Sequence, residues 1–222
     1  MKNIWVIANW KSNKTISEAL DWISIVGPNL EKRDYLKVVV CPTFTDIEEV
    51  KKAIQVGNFP LIVGSQDLSP YEAGAYTGEE TAAILRQFVD LAILGHSERR
   101  QNFNETDDMV ARKVEQALEH NITPLVCIQS DHTPIPKGTK LVAYEPVEAI
   151  GTGHPDSPQE AESVSQKIKA DHPQVEILYG GSITSENAKA YICREDISGV
   201  LVGEASLEGE EFVKIVNACL IQ

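Results

Sequence analysis

Leu91-Ala92-Ile93-Leu94-Gly95-His96-Ser97-Glu98-Arg99-Arg100 shows how the chain is built: four apolar residues in succession, a glycine, then polar and ionisable side chains. Apolar residues without alternation suit a parallel strand buried on both faces. Further β-rich runs lie to either side, at Ile4–Ala8, Lys37–Cys41, Leu61–Gly64, Thr123–Ile128, Leu141–Tyr144, Val175–Tyr179 and Gly199–Val202. Between them run helical patterns. Thr15–Val26 carries Ile16, Ala19, Leu20, Ile23 and Val26 at helical spacing. Thr45–Val56, Glu79–Phe88, Thr106–Glu119, Pro158–Ala170, Ser185–Tyr191 and Gly209–Leu220 read similarly, with Thr106 and Ser185 as expected N-caps. Eight strands alternating with helices predict an α/β protein with a parallel sheet and right-handed crossovers. A doubly wound sheet and a closed eight-stranded barrel both satisfy that pattern. In either, the chemistry sits where the strands' carboxyl ends meet the following loops.

Composition narrows the function classes. The 222 residues carry 33 acidic against 20 basic side chains, a net charge of −13. That balance argues against nucleic-acid binding, which rests on Lys and Arg neutralising phosphates. No run of 18 apolar residues predicts a membrane span, and the apolar run at Ile4–Ala8 is too short for a signal-peptide core. The four cysteines form no C-x-x-C pair, so reduced thiols in the cytoplasm are the expectation. No linker interrupts the alternation, and one domain over residues 1–222 is expected.

The strand ends are chemically distinct. The first runs into Asn9-Trp10-Lys11 and the fourth into His96-Ser97-Glu98. The sixth ends in Tyr144-Glu145-Pro146, followed by Ile150-Gly151-Thr152-Gly153. The seventh ends in Gly180-Gly181-Ser182 and the eighth in Gly203-Glu204-Ala205-Ser206. Each alone has a plain explanation: a solvated lysine, a hydrogen-bonded structural histidine, a tight glycine turn. Together they place one ammonium, one imidazole, one carboxylate and three glycine-containing turns on strand carboxyl ends. Backbone N–H groups at Gly151, Ser182, Gly203 and Glu204 would cradle a phosphate dianion. Lys11 adds a positive charge, Glu145 is a base for a carbon-bound proton, and His96 is a donor to a developing enediolate. Metal-ligand clusters and the dinucleotide fingerprint are absent from the sequence, so neither metal nor organic cofactor is expected. The chemistry indicated is proton transfer beside a carbonyl on a phosphorylated small molecule.

These residues resemble the triosephosphate isomerase family. The motifs carrying the resemblance are Asn9-Trp10-Lys11, Gly74–Glu79, Gly95–Arg100, Ala143-Tyr144-Glu145-Pro146, Ile150–Gly153 and Tyr179–Ser182, spread over residues 4 to about 220. The resemblance implies a (β/α)8 barrel that interconverts dihydroxyacetone phosphate and glyceraldehyde 3-phosphate. It implies Glu145 as the catalytic base and His96 as the neutral imidazole that polarises the carbonyl, a pairing for which this family is itself the standing example. Lys11 and Asn9 are then the electrostatic substrate-binding pair, Glu98 the neighbour that places Lys11, and Pro146–Asp156 a lid. Two competing functions are a phosphate-binding barrel without catalysis and another phosphosugar isomerase on the same fold.

The chain departs from the family pattern at Glu148 and His154 in the lid hinges, at Glu204 in place of a glycine, and at Gln129-Ser130 after strand five. The hinge changes and short length are similar to the compact archaeal branch. Thr77 in the third loop resembles the residue that reaches a partner subunit's site, implying a homodimer, with a tetramer as the alternative. Residues 129–139 contain Pro134, Pro136 and Gly138, too broken for the crossover helix the family has there. An apolar face left bare over strands five and six is therefore expected.

Overall fold

The computed structural model describes residues 2–146 and 156–220. Strands β1 (Ile4–Asn9), β2 (Leu36–Cys41), β3 (Ile62–Ser65), β4 (Leu91–Leu94), β5 (Thr123–Ile128), β6 (Leu141–Tyr144), β7 (Glu176–Tyr179) and β8 (Gly199–Val202) follow one another around a closed parallel barrel. Closure pairs β1 with β8, Trp5 opposite Gly199 and Ala8 opposite Val202. Of the two sheets the periodicity allowed, the chain forms the barrel.

The unbroken apolar runs have a direct cause, since each strand feeds two cores. Ile7, Val39, Ile93, Leu125, Ala143, Leu178 and Leu201 fill one buried cluster, the barrel interior. Their neighbours Val6, Val40, Leu94, Val126, Val142, Ile177 and Val200 belong to a second cluster shared with the helices. At the lower end of the interior the Glu176 carboxylate accepts hydrogen bonds from Trp5 Nε1 and Asn3 Nδ2. Outside the closing strands, Lys2 Nζ donates to the carbonyls of Arg194 and Ile197, 2.6 and 2.7 Å away.

The helices are α1 (Ile16–Val26), α2 (Ile47–Gly57), α3 (Ala82–Leu85), α4 (Ser97–Phe103), α5 (Asp107–Glu119), α6 (Pro158–Asp171), α7 (Ala188–Ile192) and α8 (Gly209–Ala218). Thr106 caps α5 as expected, its Oγ1 accepting from Met109 N; such a cap contributes about 1 kcal/mol. Ser185 does not cap α7. Its N–H donates to Glu211 Oε1, and Asn187 precedes the helix. The helix expected over Glu79–Phe88 shrinks to four residues, because Thr81 keeps extended backbone. Helix α4 has no counterpart in the apolar periodicity, since Ser-Glu-Arg-Arg-Gln-Asn-Phe offers no stripe.

Helices α4 and α5 both lie between β4 and β5, while residues 129–140 between β5 and β6 form turns without a helix. The shortened crossover is thus present. The bare apolar face is not: Val126, Ile128 and Val142 are fully buried, and Ile135 of the short segment packs on the core they belong to. A non-helical strap of this length suffices to cover two strands.

Behind the barrel's upper rim lies a buried ion cluster. Lys113 Nζ on α5 reaches Asp67 Oδ1 and Oδ2 at 2.6 and 2.7 Å and also pairs with Glu105. Arg99 Nε joins from α4, 2.9 Å from Asp67 Oδ2. Burial pushes the Asp67 carboxyl up to about 6, against the pull of Lys113. Among the described residues no helix is long and apolar enough to cross a membrane.

Candidate active site

The inward register of the strands continues past their ends and places the polar side chains. In β1, Trp5 and Ile7 point inward, so Asn9 and Lys11 follow on the same side. Lys11 adopts a left-handed backbone (φ 54°), a strained state for a side-chain-bearing residue that costs about 1–3 kcal/mol. Its surroundings enforce it. Lys11 N–H donates to Asn9 Oδ1 at 3.1 Å, and Gln66 Nε2 donates to the carbonyls of Lys11 at 2.7 Å and Cys41 at 3.0 Å. Lys11 Nζ then lies 2.5 Å from Glu98 Oε1.

Beyond β4, Gly95 takes a φ of +71° and turns the chain sharply into α4. A Cβ there would also stand 2.9 Å from Val110 Cγ2. The turn delivers His96 as N-cap of α4, its Nδ1 accepting from Glu98 N–H at 3.2 Å. With Nδ1 as acceptor the ring proton belongs on Nε2, which faces Glu145 Oε1 at 3.2 Å.

Glu145 extends β6, its N–H donating to Ile128 O at 2.8 Å. The carboxylate is buried, with Oε2 accepting from Ser97 N–H at 3.0 Å. A Cβ on Gly180 would stand 2.8 Å from Glu145 Cγ, so the glycine makes room for this side chain. Beneath it in the barrel, burial and then the Glu145 charge push the Cys127 thiol well above its ordinary value, keeping it protonated.

One cavity of about 440 Å³ gathers Asn9, Lys11, His96, Glu145, Ser182, Gly203 and Glu204. Gly180–Thr184 after β7 and Gly203–Ala205 after β8 extend its lining. Asn187 holds the first loop through Ser182 O and Thr184 N. The second is pinned where Trp22 Nε1 donates to Ser206 O and Ser206 Oγ to Gly203 O. Trp22 in turn packs between Trp10 and Phe212, with ring centroids 5.0 and 5.2 Å away. Glu98 stands behind Lys11, outside the cavity lining; Thr77 lies on the exposed loop of residues 71–80, away from it. Gly151, Glu148 and His154 fall outside the described residues.

Sequence reasoning missed Gln66, and its signal was available: it continues the inward register of Ile62 and Gly64 one step past β3. It missed the tyrosines around Asp156 as well. Tyr144 OH donates to Asp156 Oδ2, Asp156 N–H to Tyr179 OH, and Tyr191 OH to Asp156 O, at 3.0, 2.8 and 2.5 Å. Burial pushes all three phenols above their ordinary range.

A parallel barrel whose carboxyl-terminal mouth holds a carboxylate, an imidazole and an ammonium around a small cavity is built as an acid–base enzyme. A family profile described as triosephosphate isomerase matches residues 4–219. The chain is 38% identical to the triosephosphate isomerase of Caldanaerobacter subterraneus subsp. tengcongensis, over 98% of its own length and all of the relative's. It is 38% identical to that of a Thermoanaerobacter species, over 98% and 100%, and 37% identical to that of Mycobacteroides abscessus, over 95% and 94%. The chain belongs to the triosephosphate isomerase family. The first alignment spans 250 positions against 222 residues, so that relative has segments this chain lacks, in keeping with the shortened crossover.

Proposed function

We propose that this enzyme interconverts dihydroxyacetone phosphate and D-glyceraldehyde 3-phosphate by proton transfer through an enediolate, with neither metal nor organic cofactor. The observation that carries this is the approach of the Glu145 carboxylate to His96 Nε2, 3.2 Å, in the wall of a cavity also lined by the glycine-containing loops Gly180–Ser182 and Gly203–Glu204. Glu145 takes the proton from one substrate carbon and returns it to the other. It first gives up its bonds to Ser97 N–H and His96, so substrate binding and freeing of the base are linked. His96 donates from Nε2 to the oxygen on which charge develops, worth several kcal/mol in a dry site. Lys11 and Asn9 bind the polar end of the substrate, and Glu98 fixes Lys11. The phosphate docks on the N–H groups of Ser182, Gly203, Glu204 and Gly151.

The test is a coupled assay run in both directions on the purified chain. Turnover both ways supports the assignment, and phosphate-ester binding without turnover would leave only a binding barrel. Replacing Lys11 by Met is expected to raise KM and lower kcat together, because the ammonium meets both the substrate and the enediolate. Near-normal kinetics would reduce Lys11 to a solvated charge.

The working form is proposed to be at least a homodimer, with Thr77 on the exposed loop completing a partner's site and a tetramer as the alternative. Stacked Tyr71 and Tyr76 give that loop a preformed apolar tip, rings 4.3 Å apart. Light scattering at micromolar concentration is expected to give the mass of two chains or more; an active monomer would refute it. Four unpaired cysteines, three of them buried, suit the reducing cytoplasm, and neither nucleic acid nor a membrane is a proposed partner.

A further inference from the structure

The side-chain charge around the cavity is weighted against an anion. Among the described lining residues Lys11 is the one lysine or arginine, and Glu145 and Glu204 both face it. Lys11 is already paired with Glu98 at 2.5 Å. Glu204 opens the short 3-10 turn Glu204–Ser206 beside Gly203 and is exposed; its carbonyl accepts from Leu207 N–H, while its carboxylate has no hydrogen-bond or ion-pair partner among the described residues. A Cβ on Gly203 would lie 3.8 Å from Lys11 Nζ, so the β8 loop and the ammonium are neighbours. A cradle built to maximise phosphate affinity would not carry a free carboxylate at this point.

We infer that Glu204 tunes the affinity of the cleft for phosphate groups: its charge opposes the phosphate dianion that its own backbone N–H helps to hold. This rests on the phosphate site proposed above and adds how tightly that site holds its anion. The carboxylate cannot retreat more than about 6 Å from its own N–H, so it stays within about 10 Å of a phosphate held there. At that range, in a solvent-exposed mouth, one negative charge weakens binding of a dianion by roughly threefold to tenfold. The loss falls equally on free inorganic phosphate, held by the cradle and the neighbouring Lys11 charge, and on a phosphorylated carbonyl compound, which also engages Asn9 and His96. Glu204 thereby keeps the cleft from being held tightly by any phosphate, and for substrate the weaker hold appears in KM.

The test compares wild type, Glu204→Gln and Lys11→Met by calorimetric titration with inorganic phosphate and by KM for substrate. Glutamine keeps size and backbone and removes only the charge. Glu204→Gln is expected to tighten phosphate binding and lower KM by roughly threefold to tenfold, with the gain in KM rather than kcat, since the phosphate charge is the same in ground and transition states. Added salt is expected to close the gap between wild type and variant, which a change in loop shape would not do. Unchanged or weaker phosphate binding in Glu204→Gln, while Lys11→Met still loses affinity, would overturn the inference and leave the site standing. Phosphate binding indifferent to Lys11→Met would place the anion elsewhere and remove both.

Discussion

Replacing Glu145 by Gln is expected to lower turnover by roughly 10²- to 10⁴-fold, the range a positioned general base contributes. Binding of a phosphate-bearing competitive inhibitor should change little. The amide keeps the length of the side chain, and its oxygen can still accept from Ser97 N–H, so the fold around β6 has no reason to shift. What disappears is the capacity to hold a proton between two carbons. The measurement pairs kcat with the inhibition constant. Equal losses in both would make Glu145 a binding group and remove it from the proton-transfer step.

The largest stability effect is expected far from the chemistry, at Lys113→Met. Lys113 is 2% exposed and holds the carboxylates of Asp67 and Glu105 together. Without it two buried carboxylates share only Arg99. Breaking such a buried arrangement from one side costs about 3–5 kcal/mol, which lowers the Tm of a chain this size by on the order of 10 °C. Thermal unfolding by circular dichroism checks this, and an unchanged Tm would mean that water already compensates the cluster. Asp67 adds a dependence on pH. Its folded carboxyl, raised by burial from an ordinary 3.8 to about 6, binds a proton more readily than in the unfolded chain. Its contribution is therefore most favourable at low pH and is lost as pH rises through about 6. Relative to Asp67→Asn, which does not titrate, wild-type stability should decline over that interval. A flat difference would show that Lys113 and Arg99 fully offset the burial.

Strand positions were legible in the sequence wherever both faces are buried. Thr123–Ile128, Leu141–Tyr144 and Gly199–Val202 have the limits their apolar runs indicated. Helix α4 was illegible because it is held by polar caps and ion pairs rather than an apolar stripe. Barrel closure was beyond periodicity altogether, since pairing β1 with β8 leaves no mark on local pattern, and only the motif resemblance selected it. Asn9, Lys11, His96 and Glu145 were visible because strand register carries over into the first residues of a loop. Gln66 acts through two backbone carbonyls and has no motif of its own. The bare face over β5 and β6 was misjudged because a missing helix was equated with missing cover. Ile135, one residue of an irregular strap, reaches the core without a helix to present it.

The closing of β1 on β8, with Lys2 reaching carbonyls 192 and 195 residues further along the chain, orders the events of folding. Neighbouring strands can pair as they are synthesised, each joined to the next by a local crossover. The final seam has no local route. Until residues 199–202 leave the ribosome, the nascent protein is an open sheet with two unprotected edges, β1 at one side and the newest strand at the other. Such edges invite pairing with other chains, and contacts of this sequence separation form slowly. The interval between the first strand's synthesis and the last strand's arrival is therefore when unpaired strand edges leave the chain most open to aggregation. A truncation that removes β8 and α8 should be captured as an aggregating sheet rather than as a smaller soluble barrel.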